Sequence, residues 1–319
     1  MAPFGSESTT DEVLEGVDLT GVNVVVTGAS AGLGVETVRA VAARGATVVG
    51  LARDTSKAEK ALAEAGAEGD IEVREVDLAS LASIRSFADA FYADGHDRID
   101  VLINNAGIMA CPQGATADGF ELQFGTNHLG HFLLTGRLLP LLLTGTPARI
   151  VNLSSAGHQF APTDPDDPNF ETTPYDPWIA YGRSKTANIL FAVGLDRRLR
   201  DRGVRATALH PGGIVTELGR HLTDETIGAL IAARSARTEG GEAEMKWKSV
   251  PQGAATSVWA GFVADADAVG GRYCEDCSVS PILEGQPKVP GVMAYALDPE
   301  AAERLWTKSE ELVGETFSP

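Results

Sequence analysis

Between residues 22 and 210, short β-branched runs alternate with longer amphipathic stretches, and few architectures accommodate that rhythm. The runs are NVVVT (23–27), TVVGL (47–51), IEVREV (71–76), DVLIN (100–104), RIVNLS (149–154) and VRATAL (204–209). Helix-like segments lie between them, near 32–44, 55–65, 80–94, 118–143 and 178–202. A β-α-β-α order builds a parallel sheet covered by helices on both faces. Runs as uniformly apolar as NVVVT and DVLIN suit strands buried on both sides. The expectation is therefore an α/β fold: a doubly wound parallel sheet of Rossmann type, with about seven strands, in a single domain over residues 1–319. A helix over 251–264 and a short strand at Gly270–Tyr273 close the sheet. Two segments break the rhythm: 156–177, rich in Pro and Asp, and 218–250, which turns Gly/Glu-rich. Both are expected to wall a pocket. From about residue 280 the chain reads as a tail with one helix near 299–312.

With 319 residues, 44% of them hydrophobic, the chain can bury a large core without disulfide or metal staples. Its formal charge of −18 opposes a nucleic-acid partner or an anionic membrane surface. The first twenty residues carry no apolar signal region, and no apolar stretch approaches the roughly 20 residues of a membrane span. A cytoplasmic location is the default. Cys274 and Cys277 form a lone C-x-x-C with no second ligand pair, so these and Cys111 read as buried thiols, with no metal site. His128, His131, His158 and His210 read as packing or rim residues.

The first strand runs directly into Thr27-Gly28-Ala29-Ser30-Ala31-Gly32-Leu33-Gly34 and then a helix. Such a junction presents bare backbone N–H groups and the positive end of a helix dipole to a diphosphate. Side chains at the glycine positions would block the approach. The residue ending the second strand selects the dinucleotide: a carboxylate suits a free ribose 2′-hydroxyl, an arginine a 2′-phosphate. Here the strand ends Leu51-Ala52-Arg53-Asp54. Ala52 offers no carboxylate and Arg53 is placed for a phosphate, so NADP(H) is preferred over NAD(H). Asp54 is the counter-signal: it pairs with Arg53, or binds the ribose if the register slips.

On these and further motifs the chain resembles the short-chain dehydrogenase/reductase family, over about residues 20–275. After TGASAGLG come Asp77-Leu78 behind the third strand and Asn104-Asn105-Ala106-Gly107 behind the fourth. Asn127 in TNHLGHF, Ser154-Ser155, Tyr181-Gly182-Arg183-Ser184-Lys185 and Pro211-Gly212-Gly213 follow in the family's order. The lengthened stretch between serine and tyrosine is similar to the branch of retinol dehydrogenases, WW-domain oxidoreductases and protochlorophyllide reductases. The resemblance implies that Gly28, Ser30, Ala31, Gly32, Leu33 and Gly34 hold the cofactor phosphates, and that Asp77 and Leu78 meet the adenine. It places Asn105, Ala106 and Gly107 along the cofactor, and Pro211, Gly212, Ile214 and Thr216 around the nicotinamide. One subgroup of NADP enzymes has a basic residue where this chain has Ala31, which leaves phosphate discrimination to Arg53, with Lys57 as helper. Hydride transfer from the pro-S face, and a homodimer or homotetramer paired through helices near 118–143 and 178–202, are family expectations; the branch also includes monomers.

Tyr181 and Lys185 stand four apart on a helix, on one face. A phenol titrates near 10, and an ammonium within about 4–6 Å, joined by an oxidised nicotinamide, is expected to lower that value toward neutrality. Tyr181 then serves as general acid or base. In the family the later serine of such a pair binds the substrate oxygen, pointing to Ser155, with Ser154 the alternative. Asn127 is expected to hold a water linking Lys185 to solvent. The implied activity is hydride exchange with the carbonyl or alcohol carbon of a small molecule, and Phe160, Phe170, Trp178 and Trp247 hint that it is apolar. A C=C reductase on the same site and a non-catalytic NADP(H) sensor are the alternatives.

Overall fold

The computed structural model describes residues 4–219, 247–287 and 290–317. Seven parallel strands form the sheet: β1 (Asn23–Thr27), β2 (Thr47–Ala52), β3 (Asp70–Glu75), β4 (Val101–Asn104), β5 (Ala148–Leu153), β6 (Val204–His210) and β7 (Tyr273–Glu275). An antiparallel eighth, β8 (Ser278–Val279), completes the order β3-β2-β1-β4-β5-β6-β7-β8. The sheet thus has eight strands rather than seven. Its seventh strand begins at Tyr273, not Gly270, because Gly270 and Gly271 form the turn that enters it. The expected β1 to β6 runs lie within a residue or so of the observed strands.

Strand alternation divides the apolar side chains between two cores. Val25, Val49, Leu102 and Ile150 face one cluster; Val24, Val26, Val48, Val101, Ile103 and Val151 face the other. Helices α3 (Leu81–Ala93), α4 (Gly130–Thr144) and α5 (Pro177–Leu199) supply the first cluster. Helices α1 (Gly32–Ala42) and α6 (Val250–Val258) supply the second, with Leu62 of α2 (Thr55–Glu64). The starts are chemically marked: Asp54 caps α2, Ser80 caps α3, Asp176 precedes Pro177 at α5, and Ser249 with Gln252 makes a capping box at α6.

Three local departures matter. The helix expected over 118–143 begins at Leu122 and carries a π turn at Gly125–Leu129 before α4. The helix expected over 251–264 ends in a second π turn, Trp259–Val263. The stretch expected as a tail is built into the core: Leu305 and Trp306 of α7 (Pro299–Val313) are buried in the first cluster. Strands β9 (Ile282–Leu283) and β10 (Val292–Met293) form a separate parallel pair. Among the described residues, no helix is long and apolar enough to cross a membrane.

Candidate active site

β1 and β4 are neighbours, although two strands separate them in sequence. The chain therefore reverses its winding direction there, and the connections leave a crevice beyond the carboxyl ends of the strands. A cleft of about 1590 Å³ occupies that position. Among its lining are Gly28, Ser30, Ala31, Gly32, Leu33, Arg53, Asp77, Leu78, Asn105, Ala106, Gly107, Ser155, Tyr181, Lys185, Pro211, Gly212, Ile214 and Thr216. The structure thus brings together all but two of the expected site residues.

The exceptions are Gly34 and Asn127. A Cβ on Gly34 would run into the Gly28 carbonyl and lie 2.7 Å from Asn105 Nδ2, so this glycine lets α1 press against the turn instead of facing the cleft. Asn127 is fully buried in the π turn. Its Nδ2 donates to Ile108 O (3.0 Å) and Ser184 Oγ (2.9 Å), and its Oδ1 accepts from Ile108 N (2.9 Å). Asn127 Oδ1 and Lys185 Nζ nevertheless converge on Gly107, lying 3.2 and 3.3 Å from where its Cβ would stand.

At the glycine turn, Gly28 and Gly32 have φ of +77° and +54°, a region that disfavours side chains. Ala31 precedes α1 without a side-chain cap, so the first N–H groups of that helix are left to the cleft. This bare, positively polarised end fits a diphosphate. Thr27 fixes the opposite wall. Its Oγ1 accepts from Asn105 N and Ala106 N, both at 2.9 Å, so its own proton goes to His131 Nε2 at 2.8 Å. His131 Nδ1–H is then the donor to Asn127 O. His131 is accordingly neutral, its pKa pushed down to about 4 by burial.

Arg53 is exposed and makes no ion pair among the described residues. Asp54 is committed elsewhere: its Oδ1 accepts from Lys57 N at 2.9 Å, capping α2. Lys57 Nζ reaches Glu217 Oε2 at 2.6 Å. Asp77 accepts from Ala79 N, at 2.9 Å.

At the other end, the two adjacent serines diverge. Ser154 is buried and donates to Lys185 O at 2.7 Å, whereas Ser155 Oγ accepts from Gly157 N (3.0 Å) and converges with the Tyr181 ring on Gly157, lying 3.3 Å and 2.6 Å from where its Cβ would stand. Burial pushes the Tyr181 phenol up to about 12, and the Ser155 contact only partly offsets it. The expected lowering by Lys185 is thus not present in the protein's own electrostatics. Lys185 Nζ lies 5.7 Å from the centre of the Tyr181 ring and donates to Leu153 O at 3.2 Å, and burial brings its own pKa down to about 8.

Phe160 and Trp178 line the cleft and meet edge to face, 5.7 Å apart. Trp247 lines it too and is 45% exposed. Phe170 does not; it packs on Tyr175 and under Arg183, anchoring the loop. Of the segment expected over 218–250, Leu218, Gly219 and Trp247 line the cleft, and residues 220–246 lie outside the described residues. Sequence reasoning did not find Met109, Cys111, Leu122, Gln286 or Pro287 in the lining. Gln286 and Pro287 carry no periodic or motif signal that could have placed them there. All three cysteines are buried free thiols, and burial raises Cys274 to about 12 and Cys277 to about 11.

The model of the short chain dehydrogenase family matches residues 22–226. The chain belongs to the short-chain dehydrogenase/reductase family. This oxidoreductase is 45% identical to a protein named "Probable oxidoreductase" from Streptomyces antibioticus, over 91% of this chain and 97% of the other. It is 41% identical to human retinol dehydrogenase 13, over 92% and 85%. Among solved structures, an uncharacterised protein from Mycobacterium paratuberculosis superposes with a TM-score of 0.70 at 37% identity, covering 94% of this chain and 96% of that one. The NADP complex of Pseudomonas aeruginosa RhlG does so with a TM-score of 0.62 at 25% identity, covering 80% and 94%. The oxidoreductase shares with them the parallel sheet that places its cleft.

Proposed function

We propose that this oxidoreductase passes hydride between NADP(H) and the carbonyl or alcohol carbon of an apolar small molecule, with Tyr181 as general acid and base. The observation that carries this reading is the convergence of Ser155 and Tyr181 on Gly157, beside a buried Lys185, in the same cleft as the uncapped start of α1. Gly28, Ser30, Ala31, Gly32 and Leu33 would receive the diphosphate, Asp77 and Leu78 the adenine, and Asn105, Ala106 and Gly107 the span between. Pro211, Gly212, Ile214 and Thr216 would flank the nicotinamide. Arg53, with Asp54 spent on a cap, favours a 2′-phosphate; the NADP named in the RhlG complex supports the same choice. The retinol dehydrogenase name of a relative supports an alcohol or carbonyl as the reacting group.

The nicotinamide, when bound, supplies the hydride-carrying carbon and, oxidised, a positive charge. The chain's own groups handle the proton. At neutral pH Tyr181 is protonated, because burial holds its pKa near 12, so it is ready to donate to a carbonyl oxygen gaining negative charge. Ser155 Oγ, steadied by Gly157 N–H, offers that oxygen a second hydrogen bond. In the oxidation direction Tyr181 accepts the hydroxyl proton, which requires positive charge nearby to stabilise the phenolate. Lys185, held by Leu153 O and converging with Asn127 on Gly107, would add to the charge of the oxidised nicotinamide there. Phe160, Trp178, Met109 and Leu122 give the substrate end an apolar wall, in which excluded water strengthens both hydrogen bonds. This arrangement favours carbonyl reduction over C=C reduction or a purely sensory role. The test is Tyr181→Phe, assayed with NADPH against a panel of ketones, aldehydes and enones. Turnover is expected to fall at least about a hundredfold with NADPH affinity within a few-fold of wild type; full activity in the variant overturns the mechanism.

A further inference from the structure

One ion pair at the edge of the cleft has no part in the chemistry above. Lys57, in the first turn of α2, and Glu217, in the loop after β6, meet at 2.6 Å across 160 residues of sequence. Both residues line the cleft beside Arg53. The loop that carries Glu217 touches two regions at once. Thr216 packs over the glycine turn, its Cγ2 lying 3.2 Å from where a Gly32 Cβ would stand, while Val215 and Leu218 extend the lining and Lys248 N donates to Gly213 O at 2.9 Å.

We propose that Glu217 is a specificity-determining residue: its carboxylate stands in for the ribose 2′-phosphate on Lys57, and a cofactor carrying that phosphate displaces it. The inference rests on the NADP(H) reading above. An ammonium serves a carboxylate and a phosphate with the same donors. A phosphate monoester carries about −1.5 to −2 charge at pH 7 against −1 for the carboxylate, and Arg53 stands next to it, so the phosphate wins the exchange. It wins at a discount, because the Lys57–Glu217 pair must first open and the freed carboxylate repels the newcomer. Both partners are about half exposed (47% and 57%), so the discount is a few-fold in affinity rather than orders of magnitude. Binding of the phosphorylated cofactor then opens the Lys57–Glu217 pair, and a cofactor without the phosphate leaves it closed.

The adenosine end can be isolated with 2′,5′-ADP and 5′-AMP as probes, titrated calorimetrically into wild type, Glu217→Gln, Lys57→Met and the double variant. Wild type is expected to prefer 2′,5′-ADP. Glu217→Gln is expected to tighten 2′,5′-ADP by about two- to fivefold and leave 5′-AMP unchanged, with a smaller gain in the Lys57→Met background, where only the repulsion is relieved. Equal changes for both probes, a loss for 2′,5′-ADP, or a full gain without Lys57 overturns the proposal. A wild-type preference for 2′,5′-ADP with no gain in Glu217→Gln removes the exchange alone. No wild-type preference removes the NADP(H) reading and the exchange with it.

Discussion

Ser154 and Ser155 are the same residue type, one position apart, and the end of a β-strand sends them to different neighbours. Ser154 turns inward and spends its proton on the Lys185 carbonyl, while Ser155 faces Tyr181 and takes an N–H from Gly157. Their loss should therefore be felt in different measurements. Ser155→Ala is expected to lower kcat about 10²- to 10³-fold with little change in melting temperature. Ser154→Ala removes a buried second hydrogen bond to the helical Lys185 carbonyl and is expected to cost about 0.5–1.5 kcal/mol of stability, with kcat within a few-fold. Steady-state kinetics and denaturant unfolding on the two variants check the assignment; the reverse pattern would exchange their roles. Tyr181 shows the same dependence on surroundings: a Tyr-x-x-x-Lys spacing places both groups on one helical face, but burial, not the ammonium, sets the phenol in the protein by itself.

At the scale of elements, the segment 156–177 lacks periodicity but not organisation. It opens with a 3-10 turn, Ala156–Phe160, and is then built around one carboxylate. Asp167 accepts from Glu171 N, from Thr172 N and Oγ1, and from Thr173 N and Oγ1, and Arg183 of α5 donates to its backbone oxygen. Burial works to raise that carboxyl, but the bonds from Thr173 and Thr172 outweigh it and hold it well below the usual range. Its stabilising contribution is thus present above the unfolded value near 3.8 and lost only as pH falls through the lower folded one. Asp167→Ala is expected to speed proteolytic cleavage between 161 and 176 and to raise the substrate KM several-fold, leaving NADPH affinity unchanged. An unaltered digestion pattern would mean that the loop is held by other contacts. The π turn at Gly125–Leu129 is a second element with no sequence signature. It inserts one residue into a helix, a device common at functional sites, and here it carries Asn127 to Gly107 and Ile108.

Across the whole molecule, the carboxyl-terminal stretch is tied to the site by buried titratable groups. His158 donates from Nδ1 to Ser155 O (2.6 Å) and accepts from Met293 N (3.2 Å) on Nε2, so it is neutral and joins the catalytic turn to β10. Tyr295 adds a bond to His158 O, and Glu275 accepts from Ser280 Oγ and Gly291 N. Burial pushes His128 down to about 3 and His131 and His158 to about 4, while it raises Glu275 to about 7. The signs oppose. Below about pH 6.5 the unfolded chain takes up protons that the buried histidines refuse, so stability is lost as pH falls toward 4. Between about 4.5 and 7 the folded chain keeps a proton on Glu275 that the unfolded chain has released, so that contribution declines as pH rises. Three histidines outweigh one glutamate, and the melting temperature is expected to fall steeply on acidification from pH 6.5 to 4.5. Glu275→Gln should match wild type near pH 4.5 and gain about 1–3 kcal/mol over it by pH 7. Thermal melts across that range check both slopes; a gain independent of pH would assign the effect to packing.

The amino-acid sequence by itself determined the order of strands and helices, the uncapped glycine junction after β1, the caps of α2, α3 and α5, and the residue types available for proton transfer. These follow from local rules, since periodicity, capping and glycine conformation act within a few residues of chain. Only the tertiary structure decided which serine faces Tyr181, that Gly34 serves packing while Phe170 anchors a loop, and that Gln286 and Pro287 join the lining. It also decided the Lys57–Glu217 pair and the docking of α7. Most of these are contacts between segments far apart in sequence, fixed by how the sheet and its two cores bring them together, and no local pattern encodes them.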